Sequence, residues 1–140
     1  MRILLSNSSG VPLYDQIKEQ VRDQILCGEL VEGALLPSLR SLARELRISV
    51  LTTTRAYNEL EQEGYILSSP GRGFFVSPRD SALMQEQLLR DVEETLSQSL
   101  VAARRAGLNF EELVAMLRLL DSVDGERDDR LAQDDPQGGY

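Results

Sequence analysis

A chain of 140 residues with 41% apolar and 27% charged side chains has the composition of a soluble globular protein, sized for one domain with an appendage and too short for a large enzyme. It has no histidine and a single cysteine, Cys27, which removes the commonest general base and metal ligand, excludes an intrachain disulfide, and leaves no catalytic, metal-binding or cofactor-binding residue to name. No apolar run approaches the roughly 20 residues that span a bilayer, and the N-terminal apolar segment is too short for a signal peptide, so the expectation is a cytoplasmic protein without a membrane partner.

The net charge of -8 is unevenly placed. Residues 1–79 hold nine basic and nine acidic side chains, whereas residues 80–140 hold six basic and fourteen acidic. That shift marks a boundary near Pro78 and divides the chain into a domain over 1–78, a helical region over 79–122 and an acidic tail over 123–140, expected to be disordered past about Arg127. The acidic part would repel nucleic acid and leave the neutral part as the approach surface.

In chain order, residues 1–10 form a short arm, and Pro12 suits the first turn of a helix running to about Cys27. Leu13, Ile17, Val21 and Ile25 recur every four residues with Tyr14 and Leu26 alongside, a stripe that covers the next two helices. Cys27 is expected as a small packed hydrophobe, Gly28 as a left-handed cap, Gly33 as a turn residue, and Leu35 as part of a brief strand.

The stretch from Leu35 to Asn58 reads as two short helices joined by a tight turn. Ser38 caps the first, in which Leu39, Leu42, Ala43 and Leu46 share a face up to about Arg47. Ser49 caps the second, with Thr53, Ala56, Tyr57 and Leu60 inward and Leu51, Arg55, Asn58 and Gln62 outward. Four arginines, Arg40, Arg44, Arg47 and Arg55, face one acid, Glu45, from Leu35 to Tyr57. Charge alone decides little, because arginines on short amphipathic helices are ordinarily solvated. The turn geometry tips the reading toward DNA phosphates, with the outward face of the second helix in a major groove.

Tyr65–Ser68 and Phe74–Ser77 are strand-forming runs separated by a loop carrying Gly71, Arg72 and Gly73, which makes a hairpin with a basic, glycine-bearing tip: a wing. A nucleotide-binding glycine loop would need a following helix, which is missing here. Beyond Pro78, Leu88, Leu89, Val92, Leu96, Leu100 and Ala103 stripe a helix from about Ser81 to Arg105, and Gly107 caps its end. Asn109 with Glu112 reads as a capping box opening a second helix with Leu113, Val114, Met116, Leu117 and Leu120. Two helices cannot enclose this much apolar surface, so they must pack on the winged helix, on a second copy or on both; a symmetric homodimer is the best solution, with Leu89, Val92, Leu96, Leu100, Leu113, Leu117 and Leu120 at its interface. The fold class is therefore mainly α with a small β-hairpin: a winged helix-turn-helix domain followed by a C-terminal helical hairpin for dimerisation.

Pro12-Leu13-Tyr14, Gln16-Ile17, Gly28-Glu29-Leu30, Leu36-Pro37-Ser38-Leu39-Arg40, Leu42-Ala43, Ala56-Tyr57, Glu63-Gly64-Tyr65-Ile66 and Gly71-Arg72-Gly73 with Phe75-Val76 resemble the winged-helix domain of GntR-type bacterial transcription regulators over about residues 11–77. The resemblance implies DNA contacts from Ser38 and Arg40, from the recognition segment Ser49, Val50, Leu51, Thr52, Thr54 and Arg55, and from the wing tip Gly71, Arg72 and Gly73. One departure is Val50, where the broad family pattern has arginine. Arg55 would then supply the long basic reach, for instance bidentate to guanine; Thr52 and Thr54 suit phosphates or bases, and Val50 or Leu51 suits a thymine methyl.

About 60 residues after Pro78 are too few for the larger effector domains of related regulators and are similar to the short two-helix tail of the YtrA-type subgroup. That likeness implies a homodimeric repressor on a near-palindromic double-stranded operator, with transporter operons as common targets and no residue assigned to a small-molecule effector. The competing reading is a winged-helix module used for protein contact without specific DNA binding.

Overall fold

The structure is a computed structural model and describes residues 1–133. The elements are α1 (Leu13–Leu26), α2 (Leu39–Leu46), α3 (Val50–Gln62), β1 (Ile66–Ser69), β2 (Gly73–Val76), α4 (Ala82–Arg105) and α5 (Phe110–Gln133). They form two compact units, Met1–Arg90 and Asp91 onward.

In the first unit α1 buries Ile17, Val21 and Ile25, the face read from its four-residue spacing, against Leu42 and Ala43 of α2 and Ala56, Tyr57 and Leu60 of α3. β1 and β2 pair antiparallel with Ile66 opposite Val76 and Ser69 opposite Gly73, one residue displaced from the sequence reading. The expected strand at Leu35 is present as a bridge to Phe75, strengthened by the Leu36 N–H donating to the Phe74 carbonyl at 2.9 Å. The beginning of α4 belongs to this unit: Met84 is fully buried and Leu88 packs against the same core. The unit thus extends twelve residues past the boundary that composition marks at Pro78.

Gly64 makes that extension geometrically feasible. Its φ of +85° turns the chain from α3 into the wing, and a Cβ there would lie 2.7 Å from the Met84 backbone nitrogen.

Two details differ from the sequence reading, and a third, the fastening of the N-terminal arm, lies outside it. Cys27 is exposed rather than packed, because two residues after Ile25 is about 200° around the helix, away from the buried stripe. Pro12 is the N-cap rather than a first-turn residue, contributing its carbonyl to the Gln16 N–H at 3.1 Å. The N-terminal arm is fastened to α1 by three glutamines one turn apart. Gln20 exchanges two hydrogen bonds with the Leu4 backbone at 2.9 and 2.7 Å, Gln16 does the same with Ser6, and Gln24 donates to the Arg2 carbonyl. These amides satisfy an extended backbone as a neighbouring strand would, and Ile3 is thereby buried.

The chain leaves the wing through Arg79, whose guanidinium donates to the Ile25 and Leu26 carbonyls at 3.1 and 3.0 Å. A cation at this helix C-terminus satisfies orphan carbonyls and complements the helix dipole.

In the second unit Gly107, with φ +76°, ends α4, and the Leu108 N–H reaches back to Ala103 at 2.9 Å. The expected capping box is formed: the Glu112 N–H donates to the Asn109 side chain at 2.9 Å, and the Asn109 N–H to the Glu112 carboxylate at 3.2 Å. Between the helices runs an apolar groove of about 580 Å³ whose walls include Leu96, Leu100, Leu113, Leu117 and Leu120. Leu89 and Val92 are exposed but do not line it, and Phe110 and Met116 do. Helix α5 continues to Gln133, beyond the residue 122 at which the sequence reading ends the helical region. Arg, Glu, Leu, Ala and Gln in this stretch favour helix, and no proline intervenes before Pro136. The remainder of the tail, 134–140, lies outside the described residues.

Candidate nucleic-acid interface

Helices α2 and α3 are placed by caps at their starts. The Ser41 N–H donates to the Ser38 hydroxyl oxygen at 3.1 Å, and the Leu51 N–H to that of Ser49 at 3.1 Å. Both serines are therefore engaged as acceptors, with their hydroxyl hydrogens still available to an outside acceptor. Arg47 closes the intervening turn in the left-handed region at φ 58°, and the following Ile48 N–H satisfies the Ala43 carbonyl at 3.0 Å.

Two inward residues lock α3 in this attitude. The buried Thr53 hydroxyl lies 3.0 Å from both the Leu39 and Val50 carbonyl oxygens, bridging the two helices. The Tyr57 hydroxyl donates to the Pro37 carbonyl at 2.8 Å, and the Tyr57 ring meets Phe74 of the wing edge-on, with centroids 5.0 Å apart. Burial raises the Tyr57 pKa well above its ordinary 10.0 and keeps it a neutral donor.

What this packing leaves outside is the first turn of α3. Val50 is 41% and Leu51 79% exposed. Arg40 and Arg44 of α2, Arg47 of the turn and Arg72 at the wing tip are exposed as well. Thr52 and Thr54 are half-buried, and the Thr54 hydroxyl donates back to the Val50 carbonyl at 2.7 Å, which leaves its oxygen chiefly as an acceptor toward any outside group.

Arg55 is outward, as its spacing requires, but it is not free. Its guanidinium carbon stands 3.7 Å from the centroid of the Tyr14 ring, and its Nε lies 3.5 Å from Glu59. Glu59 is also 3.7 Å from Lys18, which pairs with Glu63. Burial alone would lower the Lys18 pKa, but the hydrogen bond and charge of Glu63, with Glu59 and Asp15, outweigh it and raise it. Sequence reasoning missed this network; Tyr14 and Arg55 are forty-one residues apart and belong to separate helical patterns.

The wing tip turns through an Arg72 N–H to Ser69 carbonyl bond of 2.9 Å, with Gly71 at φ +76° and Gly73 at φ +113°. A Cβ on Gly73 would sit 3.4 Å from the Leu35 side chain. The glycine there thus answers first to the backbone, since a Cβ would only touch the Leu35 tip at ordinary contact distance. The wing is braced on α3 by the Ser68 N–H donating to the Glu61 carboxylate at 2.8 Å. Among the described residues, no cluster of Cys, Asp or Glu could hold a metal ion, and no helix is long and apolar enough to cross a membrane.

Residues 13–76 match the bacterial regulatory proteins of the gntR family. The chain is similar to the HTH-type transcriptional repressor YtrA of Bacillus subtilis (strain 168), with 34% identity over 111 residues that cover 79% of this chain and 85% of that protein. It also resembles two solved structures. One is YtrA from Sulfolobus acidocaldarius, a GntR-family transcription factor, with TM-score 0.60, 28% identity, and coverage of 89% of this chain and 99% of that one. The other is a transcriptional antiterminator from Listeria monocytogenes EGD-e, with TM-score 0.67, 26% identity, and coverage of 89% and 90%.

Proposed function

The chain belongs to the gntR family of bacterial regulatory proteins, DNA-binding transcription regulators rather than enzymes, and on that premise we propose that it is a cytoplasmic repressor that binds a near-palindromic operator as a homodimer. The carrying observation is the first turn of α3. Val50 and Leu51 form an apolar pair that the core does not use, on a helix locked from behind by Thr53 and Tyr57, in a helix-turn-helix that also exposes Arg40, Arg44 and Arg47. Such a face reads thymine methyl groups and groove shape, while Ser38, Arg40, Ser49, Thr52, Thr54 and the wing residues Gly71, Arg72 and Gly73 hold phosphates.

Homodimerisation is supported by the open groove of the second unit, whose leucines a single chain leaves exposed. The similar Bacillus protein is a repressor, which supports that sign of regulation here. Likeness to the YtrA-type subgroup extends the proposal to a transporter operon as the target.

Selection of duplexes from a random pool by the purified protein tests the reading. It should enrich a near-palindrome with half-site centres about 10 base pairs apart, whose affinity falls with salt and whose genomic copies precede a transporter operon. Absence of an enriched sequence, or binding indifferent to salt, would replace it with a protein-contact module.

A further inference from the structure

We propose that Tyr14 is a positioning residue for DNA binding: its ring holds the Arg55 guanidinium at the seam of α1 and α3, where Arg55 meets a backbone phosphate instead of a base edge. The inference rests on the DNA-binding reading and assigns a role to a side chain on α1, outside the helix-turn-helix itself.

The Arg55 side chain is 62% exposed, so the core does not require it, yet it is restrained on two sides. Tyr14 covers one face of the planar guanidinium, and stacking of that kind leaves the N–H edges in the plane free to donate. Glu59 takes only the Nε side. Among the described residues no carboxylate pairs with the terminal amino groups. Glu59 is itself shared with Lys18, so its charge is not spent on Arg55 alone and the stacked arginine keeps an outward positive field. A long side chain already ordered loses less rotamer freedom when an anion arrives.

The position favours phosphate over base. Base edges are read by the start of a recognition helix, here Val50 and Leu51. Arg55 lies one turn beyond Leu51 on the same face, about 6 Å along the axis, and the stack draws it sideways toward the first turn of α1. This revises the bidentate guanine contact that its spacing alone allows.

The test uses the full chain with two probes, a duplex selected by the parent protein and a random-sequence duplex of equal length. Arg55→Gln should weaken both by the same factor and reduce the log–log salt slope by about one for each protomer bound. Tyr14→Leu should reproduce much of that loss and the shallower slope, Tyr14→Phe should restore parent behaviour because it keeps the ring face, and the double variant should bind no more weakly than Arg55→Gln.

Selective loss on the chosen duplex would make Arg55 a base reader and overturn the inference, leaving the function intact. So would a folded Tyr14→Leu with parental affinity and slope, or a Tyr14→Phe as weak as the leucine variant. Tyr14→Met takes the place of the leucine variant if that one melts below the assay temperature, with the same outcomes read from it. A parent protein that binds neither duplex overturns the proposed function, and this inference with it.

Discussion

The hydroxyl of Tyr57, in the middle of α3, donates to the carbonyl of Pro37, the residue before the cap of α2, at 2.8 Å and from a fully buried position. The same ring packs edge-on against Phe74. One side chain therefore sets where α2 begins and how the wing lies against α3.

Replacing Tyr57 with Phe should leave the Pro37 carbonyl without its partner and cost about 1–2 kcal/mol of unfolding free energy. It should also change the response to alkali. Burial raises the folded pKa of Tyr57 above the 10.0 of a free phenol, so the neutral phenol's stability is complete below about pH 10 and is lost as pH rises beyond it. Lys18 acts in the same direction from its ordinary 10.5: burial opposes the ammonium, but Glu63, Glu59 and Asp15 more than compensate. Urea unfolding of parent and variant at about pH 8, below both ordinary pKa values, and at about pH 11, above them, should show the parent losing more stability than Tyr57→Phe. Equal losses would mean that the buried phenol does not titrate with folding.

Leu51 and Arg72 should fail differently. Leu51 is 79% exposed at the start of α3 and carries no charge, so Leu51→Ala should alter base preference by about 1 kcal/mol at one position while leaving the salt slope unchanged. Arg40→Ala and Arg72→Ala should weaken all sequences alike and flatten the slope. Affinities on a panel of single-base variants at several salt concentrations separate the two behaviours. A Leu51→Ala protein with the parent's preferences would remove that residue from the reading face.

Gly64→Ala should be among the most damaging single-methyl additions in the chain. Alanine at φ +85° is strained by about 1–2 kcal/mol, and its Cβ would press on the backbone of Met84 at 2.7 Å, which cannot swing aside as a flexible side-chain tip could. Overpacking of this kind adds about 1–3 kcal/mol. A thermal midpoint unchanged in Gly64→Ala would show that α4 starts farther from the α3–wing turn.

The helix-turn-helix was legible in the sequence because its pattern is local: Thr53, Ala56, Tyr57 and Leu60 are all buried, and both serine caps form. The hairpin tip and the capping box of α5 were legible for the same reason. What the pattern could not show is which partner meets an element from far along the chain. The glutamines at 16, 20 and 24 look like a solvated face until the arm lies across them, and Met84 looks like part of the C-terminal stripe until it is buried under Gly64. Gly73 is proposed to lie against phosphate, but its φ of +113° means that a valine there would disturb the hairpin itself. Arg72→Ala is therefore the cleaner probe of wing contact.

The second unit leaves Leu96 46%, Leu100 36%, Leu117 53% and Leu120 55% exposed along one groove, and covering the exposed half of such side chains contributes about 1 kcal/mol each. In the proposed homodimer a second copy would cover both protomers' grooves at once, since a two-fold interface buries the same patch twice. Sedimentation of the parent at micromolar concentration should therefore give a dimer. Leu96→Glu with Leu100→Glu should give a monomer that keeps its helical content, because these side chains line a groove rather than a closed core within one chain. The monomer should bind the selected duplex about a hundredfold or more weaker, having lost the linkage that makes the second half-site contact intramolecular. A monomeric parent, or a double variant that still sediments as a dimer, would remove this groove from the interface.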